Sequence, residues 1–221
     1  MIALCTILCS TIISFFGYLP KEANEAVSFI KENKTIIQKS LKALSSEEQL
    51  IALSIVAPEI SQFSSVLDFV ELRTLYILYL NTGQSDFSVG YFQMKPSYVE
   101  TLEKHIKHSK YLHYKYKDVI PTGSDRNKRE YRLKQLSSLS GQLRYLEMFI
   151  DIVRQKTSLL HFKDTEEKIR FWATLYNSGL DLKQSDVLRL QKLKLFPKLL
   201  KKFNYSSVSV EFYNELKNHG W

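Results

Sequence analysis

The stretch Ser45-Ser46-Glu47-Glu48-Gln49-Leu50-Ile51-Ala52-Leu53-Ser54-Ile55-Val56-Ala57-Pro58-Glu59-Ile60-Ser61-Gln62-Phe63 sets the reading of the whole chain. It opens with a helix start, a hydroxyl cap with acids in the first turn. From Gln49 to Ala57 it is apolar nearly all round, which predicts a buried helix rather than an amphipathic one. That helix runs into Pro58-Glu59 and so leaves a carboxylate at the exit of a buried element.

Helical patterning continues on both sides. Upstream, Ala26, Phe29, Ile30, Ile37, Leu41 and Leu44 predict one or two amphipathic helices between Glu22 and Leu44. Downstream, Ser65 with Asp68 starts a helix that runs through Leu80 and stops near Gly83. Asp86 to Met94 mixes Phe, Val, Tyr and Gly and reads as a loop or short hairpin. Pro96 suits a first helical position, and Val99, Leu102 and Ile106 continue that helix. Tyr111 to Arg129 is basic, aromatic and interrupted by Pro121-Thr122-Gly123, which predicts an exposed excursion. Leu139, Leu143, Leu146, Ile150 and Val153 form a helical stripe. Asp164 and Glu167 box the start of a helix ending at Gly179, and two or three short helices finish the chain.

Composition agrees with a mainly α chain. Of 221 residues, 44% are apolar, which is enough for a real core, while only 7 are glycine and 5 proline. That scarcity of turn formers disfavours a many-turned β-sandwich. The formal net charge is +8, with basic residues concentrated in 101–135 and 183–202. Such a surface attracts polyanions, whether nucleic acid, a membrane face or a wall polymer carrying carboxylates, and charge alone does not choose among them.

Met1 to Leu19 carries no charged side chain, and Ile2-Ala3-Leu4 and Ile12-Ile13-Ser14-Phe15-Phe16 are strongly apolar. Residues 1–20 therefore read as an export signal or short membrane anchor, leaving 21–221 as one helical domain. No Lys or Arg precedes the apolar run, and the other reading is a buried N-terminal helix. Both cysteines, Cys5 and Cys9, fall in this segment, so its removal would leave no thiol for disulfide or zinc chemistry.

Three pieces carry candidate chemistry. Glu59, among apolar neighbours at a helix C-terminal end, is placed to favour its protonated form, as a general acid at a glycosidic oxygen requires. The competing reading has it capping local amides at the surface. Gln93, within Phe87-Ser88-Val89-Gly90-Tyr91-Phe92-Gln93-Met94-Lys95-Pro96-Ser97, presents an amide able to bond an N-acetyl group or a carboxylate, or is an ordinary exposed strand residue. Tyr176, in Ala173-Thr174-Leu175-Tyr176-Asn177-Ser178-Gly179, shares a face with Ile169, Trp172 and Ala173. Its ring points inward and its hydroxyl needs a partner, either substrate-facing or a backbone carbonyl in the core. His105, His108 and His113 lie among Lys104, Lys107 and Lys110, which would repel a metal cation, so no metal site is expected. Tyr111, Tyr114 and Tyr116 with Lys115 and Lys117 have the look of a nucleic-acid surface. With an export segment ahead of them, a saccharide-facing role is the favoured reading.

Two of these pieces resemble the marker motifs of the lytic transglycosylases, which share a goose-type lysozyme-like fold. The family's Gly-Leu-Met-Gln-(x-x)-Pro motif resembles Gly90-Tyr91-Phe92-Gln93-Met94-Lys95-Pro96, and its Ala-Tyr-Asn-(small)-Gly motif resembles Leu175-Tyr176-Asn177-Ser178-Gly179. The family's catalytic glutamate ends a buried helix and is followed by Ser, which resembles Pro58-Glu59-Ile60-Ser61. The likeness covers roughly 45–179. It implies a lysozyme-like helical domain with a loop or hairpin at the cleft, and cleavage of peptidoglycan glycan strands between N-acetylmuramic acid and N-acetylglucosamine.

By that resemblance Glu59 is the lone acid/base. Gln93, Tyr176, Ser88, Gly90, Met94 and Asn177 contact substrate or shape the cleft. Neither cofactor nor metal is required, the location is exported, and nucleic acid is not a partner. Products would end in a 1,6-anhydro ring; a hydrolytic muramidase or a non-catalytic wall-binding scaffold are the alternatives. The sequence departs from the pattern in two ways: Ile60 separates Glu59 from Ser61, and a whole helix lies between Glu59 and Gln93. Glu71 is therefore an alternative acid, nearer Gln93 but mid-helix beside Arg73, and Asp86 is a candidate second carboxylate.

Overall fold

The computed structural model describes residues 14–63, 68–84, 87–196 and 201–221, with side-chain surroundings for all of these except 68–73. The chain is mainly α, with twelve helices and no strand longer than a single bridge among the described residues. The first half contains α1 (Phe15–Tyr18), α2 (Pro20–Glu32), α3 (Lys34–Ser40), α4 (Ser46–Gln62), α5 (Asp68–Thr82) and α6 (Pro96–His108). The second half contains α7 (Lys110–Tyr116), α8 (Asp125–Leu136), α9 (Leu139–Lys156), α10 (Thr165–Ser178), α11 (Gln184–Leu190) and α12 (Tyr205–Asn218).

Helix α4 is the central element, packed by α2, α9, α10 and α12. Its capping box forms as expected: Glu48 N donates to Ser45 Oγ at 3.2 Å and Ser45 N donates to Glu48 Oε2 at 3.0 Å. Every residue from Leu50 to Pro58 is buried, which fits its all-round apolar surface. Each fully buried large aliphatic here contributes about 1.5–3 kcal/mol. The helix does not stop before Pro58, as its sequence suggested, but continues through it to Gln62. An interior proline removes one ladder bond and costs about 3 kcal/mol in an isolated helix; burial on all sides offsets that cost. Ser61 Oγ donates to the Pro58 carbonyl at 2.7 Å and satisfies one oxygen of the final turn.

The helices predicted over 22–44, near 96–106, along 139–153 and from 164 to 179 are all present, as α2 and α3, α6, α9 and α10. The start of α5 at Ser65 lies outside the described residues. The stretch from Tyr111 to Arg129 is not an exposed excursion. It holds most of α7 and the start of α8, and Leu112, Tyr116, Val119, Ile120 and Pro121 are buried. Its charges misled because their partners lie on α9. Lys115 Nζ reaches Glu147 at 3.0 Å and Asp151 at 2.6 Å, and the Tyr116 hydroxyl donates to Asp151 at 2.7 Å. A second buried knot joins Arg132 of α8 to Glu103 of α6 by two bonds, 2.9 and 2.7 Å, and to Glu100 at 2.8 Å. The Tyr79 hydroxyl donates to Glu100 at 2.8 Å, and burial pushes its pKa up to about 12.

The helical domain reaches back before residue 20. Phe15 is fully buried, its ring 5.5 Å from that of Phe203 and 6.0 Å from that of Phe212. Glu211 of α12 accepts from the Phe15 amide at 2.9 Å. The rest of the apolar start, including Cys5 and Cys9, lies outside the described residues. Among the described residues no helix is long and apolar enough to cross a membrane.

Candidate active site

The last turn of α4, the turn after Phe87, the head of α6 and the end of α10 enclose a cleft of about 800 Å³. Glu59 and Gln62 form one wall. Ser88, Gln93, Met94 and Lys95 form the facing wall. Ser97, Tyr98 and Thr101 of α6 and Tyr176, Asn177, Ser178 and Gly179 close the floor and one end. Leu195 and Phe196 form an apolar lip. Among the described lining residues Glu59 is the carboxylate, and Lys95 brings a cation into the same cleft.

The wall opposite Glu59 is a tight turn. Val89 and Met94 exchange backbone bonds of 3.0 and 3.2 Å, closing the loop expected for this segment. Gln93 sits at φ 47°, in the left-handed region, and its Nε2 donates to the Gly90 carbonyl at 2.8 Å. Both backbone groups of Phe92 are held from other helices: its amide donates to Gln142 Oε1 of α9 at 2.8 Å, and its carbonyl accepts from the Tyr176 hydroxyl at 2.7 Å. Tyr176 is therefore a core tyrosine on a backbone carbonyl and a cleft residue at once. It ties the end of α10 to the turn that carries Gln93.

Gly90 lies behind the cleft wall rather than in it. At φ 70°, it leaves no room for a methyl group: a Cβ would lie 1.8 Å from Gln142 Nε2 and 2.7 Å from the Leu136 carbonyl. Gly90→Ala should cost about 2–4 kcal/mol, the sum of a left-handed alanine and the loss of the Gln142 bond to the Phe92 amide. Gly123→Ala is the control, because at φ 93° its nearest neighbour, Asn127 Nδ2, is 3.4 Å away, so backbone strain alone remains. Urea denaturation of the two variants checks the difference; equal losses would show that the close approach to Gln142 is not what fixes Gly90.

Glu59 has a neighbour that local patterning gave no reason to choose. Tyr205, the first residue of α12, is buried and donates its hydroxyl proton to the Ile55 carbonyl of α4 at 2.9 Å. Ile55 is one helical turn before Glu59. The Tyr205 hydroxyl also stands in hydrogen-bonding contact with the Glu59 carboxyl. Its pKa is raised well above that of a free tyrosine, first by burial and then by the charge of Glu59. Tyr176 is raised as well, by burial first and in smaller part by Tyr98 and Glu59. Tyr98 is raised by burial, and its oxygen has no hydrogen-bond partner. Three tyrosine hydroxyls thus cluster behind one glutamate.

Glu59, Gln93, Tyr176, Ser88, Met94 and Asn177 therefore meet in one cleft, with Gly90 supporting it. Glu71 lies on α5, but its side chain is outside the described residues, as is Asp86. His105 is bonded to Asp181 at 2.6 Å, and His108 Nδ1 lies 2.7 Å from the Lys104 carbonyl. Among the described residues no group of three His, Cys, Asp or Glu could hold a metal ion. Comparison with protein-family models, curated proteins and solved structures gives no match.

Proposed function

We propose that this chain is a lysozyme-like, exported enzyme that cleaves the peptidoglycan glycan strand between N-acetylmuramic acid and N-acetylglucosamine. The observation that carries this reading is the convergence of Glu59, Gln93 and Tyr176, distant in sequence, on one cleft. Their order along the chain and the residues around them resemble the lytic transglycosylase motifs. A cleft of this volume suits an extended polar ligand.

In this reading Glu59 acts twice. Protonated, it gives its proton to the glycosidic oxygen as the bond to the muramic-acid anomeric carbon breaks. Ionised, it takes the proton of the sugar's own C6 hydroxyl as that oxygen closes on the anomeric carbon. The net result is a new chain end on one fragment and a 1,6-anhydro ring on the other, and Glu59 is restored. A hydrolytic route needs a second carboxylate to activate water; Asp86 is the residue to test for it. Mass spectrometry of muropeptides released by purified protein decides the outcome. Anhydro-muramyl ends support the reading, reducing ends indicate a muramidase, and no release from several peptidoglycan types leaves a wall-binding scaffold.

Substrate capture should use the basic face. Lys104 and Lys107 of α6 and Lys110 and Lys117 around α7 are exposed, with Tyr111 and Tyr114 exposed between them. The Lys117 ammonium lies over the Tyr114 ring, 5.3 Å from its centroid. Pull-down on insoluble wall should weaken at least about tenfold as ionic strength rises from low to well above physiological. Binding unchanged by salt would remove charge as the cause.

A further inference from the structure

Tyr205 does more than support the core. It lies 146 residues beyond Glu59, yet α12 packs along α4 and sets its hydroxyl against both the Ile55 carbonyl and the Glu59 carboxyl. A phenol has one proton to donate and lone pairs to accept with. Here that proton has two acceptors within reach. One is the carbonyl of Ile55, the residue whose backbone the helix ladder would pair with the Glu59 amide. The other is the Glu59 carboxylate itself.

We propose that Tyr205 is a positioning residue for Glu59, sharing its single hydroxyl proton between the Ile55 carbonyl and the Glu59 carboxylate and moving it to the carboxylate when that group ionises. With Glu59 protonated, the carboxyl donates to the Tyr205 oxygen, whose own proton rests on Ile55. With Glu59 ionised, the hydroxyl turns to the carboxylate, a charge-assisted bond stronger than the neutral one it leaves. The carboxyl is held in one orientation in both states. The two neutral tyrosines nearby do not duplicate this. The Tyr176 proton is committed to the Phe92 carbonyl, and Tyr98 approaches from α6 without a partner.

Other groups around Glu59 are consistent with this role. Lys95 and Tyr98 face the cleft from the head of α6, and Tyr176 faces it from α10. Helix α2 turns Ala23, Ala26, Val27 and Ile30 inward, and Glu22, Glu25, Lys31 and Glu32 are exposed. The carboxylates of α9, Glu147 and Asp151, are paired with Lys115. Tyr205 is thus the hydroxyl in contact with both Ile55 and Glu59.

The proposal rests on Glu59 as the acid/base for its meaning, but its test does not need turnover. The Glu59 carboxyl is titrated by carbon NMR in uniformly labelled protein, the resonance being assigned by its loss in Glu59→Gln. Because the ionised form loses a charge-assisted donor, Tyr205→Phe should raise the Glu59 pKa by about one unit. Tyr176→Phe should move it by less than half as much. An unchanged titration in folded Tyr205→Phe overturns the proposal. If that variant does not fold, the wild-type chain still decides: the buried Tyr205 hydroxyl proton should shift downfield in step with Glu59 ionisation, and a resonance indifferent to that step overturns the proposal. A shifted titration without any muropeptide release would leave Tyr205 coupled to Glu59 while removing the glycan-cleaving reading.

Discussion

Glu59→Gln should lower glycan turnover by about a hundred- to ten-thousandfold, the usual contribution of a positioned acid–base group. The amide keeps the shape and much of the hydrogen bonding of the carboxyl but can neither give nor take the proton. Glycan binding should persist, because Gln93, Asn177 and the rest of the cleft are untouched. Tyr176→Phe should lose less. It removes one buried bond, to the Phe92 carbonyl, on the order of 1–3 kcal/mol, and loosens the turn that carries Gln93. Glu71→Gln separates the two acids and should keep most activity. Release of anhydro-muropeptides over time measures all three. If Glu71→Gln abolishes release and Glu59→Gln does not, the acid has been placed one helix too early.

The largest loss of stability is expected at Arg132→Met. Arg132 bridges Glu100 and Glu103, and Glu103 is only 1% exposed. Removing the guanidinium leaves a carboxylate in the core with only the Tyr145 hydroxyl, 3.4 Å away, to replace two strong bonds. Breaking a buried pair from one side costs about 3–5 kcal/mol. For a domain of this size that is a fall in Tm of about 6–20 °C. The double variant Arg132→Met with Glu103→Leu should recover most of it, since an apolar pair of similar volume leaves no buried charge behind. Thermal melts followed by circular dichroism give the answer. A single variant within about 1 kcal/mol of wild type would show that Glu103 finds other partners.

The sequence made α4 and α10 legible because their signals are local. Ser45 with Glu48 and Asp164 with Glu167 announce helix starts within four residues, and both caps form. The cleft turn was legible for the same reason: glycine at position 90 meets a positive φ that its spacing before Gln93 and Pro96 suggested. What stayed hidden depends on distant partners. Lys115 and Arg132 look like solvated charges until α9 and α6 supply their carboxylates. Gln142 and Tyr205 carry no local mark at all, since a glutamine in a helix and a tyrosine at a helix start are commonplace. Each matters only through what packing brings to it, the Phe92 amide in one case and Ile55 with Glu59 in the other.

The embrace of α4 by α12 also fixes when the molecule can finish folding. Phe15, among the first described residues, completes its pocket on Phe203 and Phe212, and Tyr205 completes the surroundings of Glu59. Both events must wait for the final helix to leave the ribosome, because no earlier segment supplies these surfaces. Contacts spanning most of the chain are slow to close. A nascent chain lacking α12 would keep the apolar flank of α4 open to solvent and to chaperones, and amide exchange along Leu50–Ala57 should stay fast until that last element docks.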